Sequence, residues 1–268
     1  MNLPETKNLL LALDAGVLRM TFNRPDSRNA LSVALLADIV AVFDAIRDSR
    51  EVRAVVLRGA GGNFCAGGDI KDMAAVRMAQ AKGGADPAAE YNRKFGSFLR
   101  KINEAPQATI AICEGAVLGG GFGVACVADV AFAHVDASFG LPETGLGIVP
   151  AQIAPFVVQR IGLSQARRLG VCGGRFKGEE ARRLGIVHET FADEAALGAL
   201  LDATLKQVLR CAPNANAVTK EIMLKVGAVE LDALLDHAAR RFSEAVRSAE
   251  GAEGTAAFIE ERLPKWAQ

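Results

Sequence analysis

The chain has 268 residues, enough for one large domain or two small ones, and half of its residues are hydrophobic. Its 31 basic residues balance its 31 acidic residues. This composition is typical of a globular protein rather than a disordered chain. A net charge of zero gives no bulk attraction for nucleic acid or for an anionic membrane surface, so we expect neither as a partner.

The cysteine pattern excludes two further classes of protein. No two cysteines form a Cys-x-x-Cys pair, so we predict neither a zinc cluster nor a disulfide scaffold, and no metal. A reducing compartment, the cytoplasm, fits this usage best. The N-terminal apolar stretch lacks the flanks of a secretory signal, and no run reaches the ~18 apolar residues of a membrane span. The cysteines are Cys65, Cys113, Cys126, Cys172 and Cys211.

Strand-like and helical patterns alternate through the first two thirds of the chain. Such alternation predicts an α/β fold with parallel strands and right-handed crossovers. Asn29 and Ser32 are cap candidates for the first helix. In chain order we predict a strand over Val17–Phe22, a helix over 31–46, a strand over 52–57, a helix over 95–102 and a strand over Ala108–Cys113.

The last part of the chain has no strand pattern. We predict helices over 194–210, 214–226, 231–248 and 255–262. Helices with apolar faces and little core of their own pack on the main body or on a sister subunit. We therefore divide the chain into a core over 1–200, which holds the site, and a helical oligomerisation region over 201–268. A mobile loop is predicted over 78–87.

Two glycine-rich turns are the strongest chemical signal. The first glycine turn covers residues 66–69 and the second covers residues 118–121. Each places backbone N–H groups at the start of a helix, where no intrahelical acceptor exists and the helix dipole adds positive potential. Two such turns facing one point form an oxyanion hole, although either turn alone can simply be a tight connection. Glu143, which follows Pro142, adds a carboxylate further along the chain that could serve as an acid or base.

The chain resembles the enoyl-CoA hydratase/isomerase (crotonase) superfamily over nearly its whole length. The resemblance implies a spiral of ββα units with a C-terminal helical trimerisation region, assembled as a homotrimer or as a hexamer of two trimers. The substrate would be an acyl-CoA thioester, with coenzyme A as part of the substrate and no separate cofactor. The motifs that carry the resemblance are Asn23-Arg24-Pro25, Phe64-Cys65-Ala66-Gly67-Gly68-Asp69-Ile70, Leu118-Gly119-Gly120-Gly121 and Phe139-Gly140-Leu141-Pro142-Glu143.

The resemblance also implies the site residues. The backbone N–H groups of Gly68 and Gly120 would hold the thioester oxygen, and Glu143 would be the acid and base. Asp69 is more typical of a helix N-terminus than of a second acid. The residues implied to line the path of the substrate and CoA are Arg28, Ala66, Gly68, Asp69, Ile70, Lys71, Gly120 and Gly123.

One position departs from the family pattern. Typical hydratases place a second glutamate where this chain has Gly123. Acid–base work would then fall on Glu143, alone or with water or a carboxylate of the substrate. We hypothesise that Gly123 makes room for a bulky branch on the substrate.

A finer resemblance is to the isohexenylglutaconyl-CoA hydratases of acyclic terpene breakdown, which are similar to the methylglutaconyl-CoA hydratases of leucine breakdown. We therefore expect a lyase that adds water to a branched 2-enoyl-CoA. A methylglutaconyl-CoA or general enoyl-CoA hydratase is an alternative. Isomerases of the superfamily also keep only the carboxylate at the Glu143 position, so a Δ3,Δ2-enoyl-CoA isomerase is another. A non-catalytic acyl-CoA-binding scaffold is the third.

Overall fold

The computed structural model describes residues 2–79 and 86–268. Most of the loop predicted over 78–87 thus lies outside the described residues. The strands are β1 (Leu9–Asp14), β2 (Val17–Phe22), β3 (Ala54–Gly59), β4 (Ala108–Cys113), β5 (Ala116–Leu118), β6 (Val130–His134), β7 (Ser138–Gly140), β8 (Arg175–Phe176) and β9 (Glu189–Phe191). The helices are α1 (Val33–Ile46), α2 (Ile70–Met78), α3 (Pro87–Asn103), α4 (Gly120–Val127), α5 (Ala154–Cys172), α6 (Gly178–Arg183), α7 (Glu194–Arg210), α8 (Pro213–Leu224), α9 (Leu231–Arg247) and α10 (Ala249–Ile259).

The main sheet has the strand order β1-β2-β3-β4-β6-β9. Its strands pair in parallel except for the β1–β2 hairpin, which is antiparallel. β3 and β4 are buried almost throughout and rich in apolar residues, as expected for parallel strands covered on both faces. The predicted α/β fold with a parallel sheet is confirmed.

Short second strands form an inner layer that links successive units. β5 pairs in parallel with β7, and β7 pairs with β8. Single-residue parallel bridges extend this layer, from Leu31 to Gly68 and from Cys65 to Val117. The order β1-β2-α1, β4-β5-α4 and β6-β7-α5 repeats a ββα unit, which confirms the predicted spiral.

The start of α1 differs from the prediction. Ser32 is the residue before α1, and its hydroxyl accepts a hydrogen bond from the Leu35 N–H at 3.2 Å. Asn29 does not cap the helix. It is fully buried with a positive φ, and its side-chain NH₂ donates to the carbonyls of Ala60 (2.9 Å) and Asn63 (2.6 Å). Asn29 thus joins the segment after β2 to the segment before the first glycine turn.

The C-terminal part is helical, as predicted, from α7 to α10. The helix predicted over 255–262 begins earlier, because the Ser248 hydroxyl caps α10 by accepting from the Gly251 N–H at 3.0 Å. The predicted boundary at residue 200 falls inside α7. The division of the chain into a core and an oligomerisation region stays a prediction. Among the described residues, no helix combines the length and the apolar character needed to span a membrane.

Candidate active site

The two glycine turns lie side by side because the strand segment before the first turn pairs with β5. The Cys65 N–H donates to the Ala116 carbonyl at 2.9 Å, and the Leu118 N–H donates to the Cys65 carbonyl at 3.0 Å. The turns are in contact: a Cβ on Gly67 would lie 3.2 Å from the Leu118 carbonyl oxygen and 3.8 Å from the Gly120 nitrogen. Gly67 has φ +102°, a conformation that a side chain would disfavour.

The first glycine turn leaves the Gly68 N–H without a partner. The bridge to Leu31 uses the neighbouring residues instead: the Leu31 N–H donates to the Gly67 carbonyl at 2.8 Å, and the Asp69 N–H donates to the Leu31 carbonyl at 3.1 Å. Because the Gly67 carbonyl and the Gly68 N–H belong to one planar peptide group, the bond from Leu31 fixes the orientation of the Gly68 N–H. In the described residues no acceptor bonds the Gly68 N–H.

The second glycine turn presents the Gly120 N–H in a similar way. Gly120 is the first residue of α4, where an N–H has no intrahelical acceptor. Gly119 precedes it with φ +50°, and the Gly119 N–H donates to the Gly140 carbonyl of β7 at 3.0 Å. Gly120 is tightly packed: a Cβ there would lie 2.7 Å from Phe95 Cζ and 2.9 Å from Leu31 Cδ1. The structure thus places in contact the two turns whose Gly68 and Gly120 N–H groups the family resemblance implies as oxyanion donors, and that role stays a prediction.

Asp69 braces the first glycine turn. Its carboxylate caps α2 by accepting from the Lys71 N–H at 2.9 Å, and it also accepts from Arg24 Nη2 at 2.9 Å. Burial alone would raise the pKa of Asp69, but the hydrogen bonds from Arg24 and the backbone outweigh it and lower this pKa. Asp69 therefore stays ionised and holds the turn. Sequence reasoning missed the partner Arg24, since the two residues are 45 positions apart.

Glu143 lies against the second glycine turn. A Cβ on Gly119 would lie 2.6 Å from Glu143 Oε1, so only a glycine admits the carboxyl group at this point. The other oxygen, Oε2, is buried and has no hydrogen-bond partner in the described residues. Burial raises the pKa of the Glu143 carboxyl above its ordinary value, as expected for a partly desolvated acid. A buried, unpartnered carboxylate oxygen is costly unless a ligand or a reaction uses it.

Gly123 does not face open space. A Cβ there would lie 3.2 Å from Leu99 Cδ1 and 3.3 Å from Ile153 Cγ2. Both side chains are buried, Leu99 completely and Ile153 to all but 6%. The hypothesis that Gly123 itself leaves room for a branch therefore needs correction, because an apolar wall formed by Leu99 and Ile153 fills the space beside it.

The other residues predicted to line the CoA path surround the first glycine turn. Ala66 donates its N–H to the Arg28 carbonyl at 2.9 Å, which places Arg28 at the turn. The Arg28 and Lys71 side chains are exposed, and Ile70 is exposed to 76% at the start of α2. Their contact with CoA stays a prediction.

Other reactive residue types have structural surroundings. Burial raises the pKa of Cys65 to about 12, so its thiol is unreactive. Asp129 accepts hydrogen bonds from the Thr109 N–H at 2.7 Å and from Lys220 at 2.7 Å. His188 accepts from a backbone N–H of β6 at 3.0 Å. In residues 2–79 and 86–268, no group of three His, Cys, Asp or Glu side chains is placed to bind a metal ion.

This geometry suits one kind of chemistry. Two backbone N–H donors beside each other stabilise an oxygen that gains negative charge, as a thioester carbonyl does when it becomes an enolate. A carboxyl group whose pKa is raised above its ordinary value is better suited to both accept and donate a proton. Glu143 and the two glycine turns together therefore support acid–base chemistry next to a carbonyl.

Comparison with known proteins identifies the family of this chain. Residues 12–268 match the family described as enoyl-CoA hydratase/isomerase. The chain is 31% identical over 257 residues to the probable enoyl-CoA hydratase of Bacillus subtilis. The aligned region covers 96% of this chain and 97% of that relative. The chain is 29% identical over 264 residues to the short-chain-enoyl-CoA hydratase of Clostridium acetobutylicum, covering 96% and 97%.

Solved structures give the same result with higher identity. Pseudomonas aeruginosa AtuE has a TM-score of 0.94 and 60% identity, over 98% of this chain and 100% of that one. An enoyl-CoA hydratase/isomerase from Marinobacter aquaeolei has a TM-score of 0.94 and 51% identity, over 97% and 99%. The match spans the glycine turns, Glu143 and the C-terminal helices. The chain therefore belongs to the enoyl-CoA hydratase/isomerase family.

Proposed function

We propose that this chain hydrates a branched 2-enoyl-CoA, isohexenylglutaconyl-CoA, in the breakdown of acyclic terpenes. As a family member it is a lyase of the enoyl-CoA hydratase type that acts on acyl-CoA thioesters. The observation that carries the proposal is the buried, unpartnered Oε2 of Glu143 beside the second glycine turn. A module that only binds acyl-CoA has no need of a costly carboxylate at this point, which weighs against the scaffold alternative.

The reaction follows from the groups present. The thioester oxygen of the substrate accepts hydrogen bonds from the Gly68 and Gly120 N–H groups. The Glu143 carboxylate takes a proton from a water molecule as the water oxygen bonds to the third carbon of the acyl group. The C2–C3 π electrons move toward the thioester, and the oxyanion hole stabilises the resulting enolate. Protonated Glu143 then returns a proton to the second carbon, which regenerates the thioester and the carboxylate.

The substrate is inferred from two features. Position 123 carries no carboxylate, and its nearest neighbours are the apolar side chains of Leu99 and Ile153. Glu143 is thus the acid–base side chain that we assign within the described residues. The chain is also 60% and 51% identical to two solved relatives, but only about 30% identical to curated relatives named enoyl-CoA hydratase. These relatives support the reaction class, and the choice of a branched substrate rests on the apolar surroundings of position 123 and on the motif resemblance. A methylglutaconyl-CoA is the nearest alternative of the same class.

The proposal includes a homotrimer or a hexamer of two trimers in the cytoplasm. The helices α9 and α10 expose a series of large apolar side chains, which a sister subunit would cover. These side chains are Leu231, Leu235, Phe242, Val246, Phe258 and Ile259.

Mass spectrometry of the product tests the proposal. The protein is incubated with 3-methylglutaconyl-CoA and with isohexenylglutaconyl-CoA, and Glu143→Gln serves as the matched control. We expect a product heavier by one water, absent with the variant, and a faster reaction with the isohexenyl substrate. Migration of the double bond in a 3-enoyl-CoA without hydration would identify the isomerase, which the single carboxylate also permits. Tight binding without turnover would identify the scaffold.

A further inference from the structure

The glycine-rich start of α4 lies between an acidic side chain and an apolar surface. Gly119 and Gly123 are one helical turn apart, and the Gly123 N–H donates to the Gly119 carbonyl at 2.9 Å. The carboxyl group of Glu143 lies at the Gly119 end, and the apolar wall of Leu99 and Ile153 lies at the Gly123 end. A substrate held at Gly120 would therefore lie between Glu143 at the Gly119 end and Ile153 at the Gly123 end.

Ile153 is held firmly in this position. It immediately precedes α5, where its N–H donates to the Pro150 carbonyl at 3.1 Å and its carbonyl accepts from the Val157 N–H at 3.1 Å. The preceding residue, Gln152, lies in a notch on α3, since a Cβ on Gly96 would be 1.9 Å from Gln152 Oε1. These contacts fix the backbone at Ile153, and burial to all but 6% confines its side chain beside Gly123.

We propose that Ile153, backed by Leu99, is the residue that selects substrates with an apolar branch on the third carbon of the acyl group. This inference rests on the proposed hydratase function. The third carbon is two bonds from the carbonyl carbon held at Gly120, so a substituent directed along α4 would span one helical turn, ~5.4 Å, and reach Gly123. Ile153, which keeps a small exposed fraction, offers it van der Waals contact and no hydrogen bond, and the fully buried Leu99 packs behind Ile153. Such a contact favours an alkyl group over a polar one.

The same distances imply that the sizes of the side chains at positions 123 and 153 depend on each other, and we call these positions a matched pair. A Cβ at position 123 would already be 3.2 to 3.4 Å from Leu99 and Ile153, so these neighbours would have to move to admit it. A glutamate there would also bring a carboxylate against two buried apolar side chains without a partner. Gly123 and Ile153 should therefore change together, and Gly123→Glu is tolerated only where position 153 is small.

Two substrates that differ by one methyl group isolate the proposed contact. The kcat/KM values for 3-methylglutaconyl-CoA and glutaconyl-CoA are measured with the wild-type protein, Ile153→Val and Ile153→Ala. Val157→Ala is the matched control, because Val157 is buried one turn further along α5 and is not among the nearest atoms to Gly123. We expect Ile153→Ala to lower the ratio of the two kcat/KM values about tenfold. Ile153→Val should lower it less than threefold, and Val157→Ala should leave it unchanged.

The outcomes separate this inference from the proposed function. If the wild-type protein hydrates both substrates but Ile153→Ala keeps the wild-type ratio, the hydratase stands and the role of Ile153 is overturned. If the wild-type protein hydrates neither, the proposed function fails and the inference fails with it. If Ile153→Ala does not fold, Ile153→Val and Ile153→Leu carry the test, and an unchanged ratio in both overturns the proposal.

The matched pair has its own test in a double-mutant cycle. Gly123→Glu alone should lose at least tenfold of the hydration rate and unfold at a lower temperature. The double variant Gly123→Glu, Ile153→Gly should unfold at a higher temperature than Gly123→Glu alone, which is a non-additive result. Additive effects of the two substitutions on the melting temperature would contradict the pairing.

Discussion

The two glycine turns present the same chemical group but are held in different ways. The first glycine turn is fixed by polar contacts: the Leu31 bridge on both sides of Gly68, and the Asp69 carboxylate with its partner Arg24. The second glycine turn has one backbone hydrogen bond, from the Gly119 N–H to the Gly140 carbonyl, and is otherwise fixed by the packing of Phe95 and Leu31 against Gly120. Removing a charged partner destabilises a turn that is held by hydrogen bonds and an ion pair. Adding a methyl group destabilises a turn that is held by close packing. An added methyl group should therefore disturb the second turn more than the first, and the loss of a charged side chain should disturb the first.

Gly120→Ala is the substitution that should break the second turn. The added Cβ would lie under 3 Å from both Phe95 and Leu31, which are buried and have little room to move, so we expect the turn to shift and its N–H to leave the oxyanion position. We expect kcat to fall by roughly 10² to 10³, the effect of losing one oxyanion donor. Steady-state kinetics measures this, and circular dichroism of the variant checks that the fold is kept. A folded variant within threefold of the wild-type kcat would contradict the packing argument.

Asp69→Ala should break the first turn through its polar brace. The substitution removes the cap of α2 and leaves Arg24 without its carboxylate, which costs about 1 kcal/mol of stability. We expect about a tenfold loss of kcat, because Gly68 adjoins the brace. Asp69→Asn is the control, since it retains the side-chain oxygen that caps α2 and should lose less stability. Equal losses of stability for both variants in chemical denaturation would show that the cap is unimportant.

The carboxyl group beside the second turn allows a test of its electrostatics. The pKa of Glu143 is raised by burial above its ordinary value of 4.5, so the folded state keeps the proton to higher pH than the unfolded state. Below pH 4.5 the carboxyl is protonated in both states and does not destabilise the fold. Above the raised pKa it is ionised in both states, and its ionisation lowers the free energy of unfolding by the full effect of the pKa shift. We expect Glu143→Gln to raise the Tm by roughly 2 °C at pH 7 and by less at pH 4. A Tm gain that is the same at both pH values would contradict this.

Gly68→Ala should have the smallest effect, which sharpens the contrast with Gly120→Ala. The nearest atoms to an added Cβ belong to Met73, at 3.7 and 3.8 Å, which is ordinary contact. Gly68 also has no positive φ, so alanine fits its backbone. We expect kcat within about threefold of the wild-type value. A loss as large as that of Gly120→Ala would mean that the two turns are held alike.

Local patterns in the sequence predict the elements of this fold well. Apolar periodicity gives α7 over 194–210 and the strand Ala108–Cys113 at the observed bounds. The strand predicted over 52–57 is observed at Ala54–Gly59, because pairing with β2 and β4 decides where a ladder begins. The glycine turns and Glu143 are visible in the sequence because each has its own local motif.

Contacts between distant residues are what the sequence does not reveal. Arg24 pairs with Asp69, and Asn29 ties together two loops, but neither residue has a local pattern that indicates a partner. The same holds for Ile153, which is 30 positions from Gly123 in the sequence and becomes its neighbour only through the packing of α5 on α4. For this reason the sequence suggests open space at Gly123, and the structure shows a wall.

The hydration rate of Glu143→Gln is the most direct test of the account, because Glu143 is assigned both proton transfers. We expect the variant to bind the CoA thioester with unchanged affinity and to hydrate 3-methylglutaconyl-CoA at least about 10³ times more slowly than the wild-type protein. In the wild-type protein, kcat/KM should fall as the pH drops through the raised pKa of Glu143, since the base must be ionised. A folded Glu143→Gln variant that hydrates within tenfold of the wild-type rate would contradict the account.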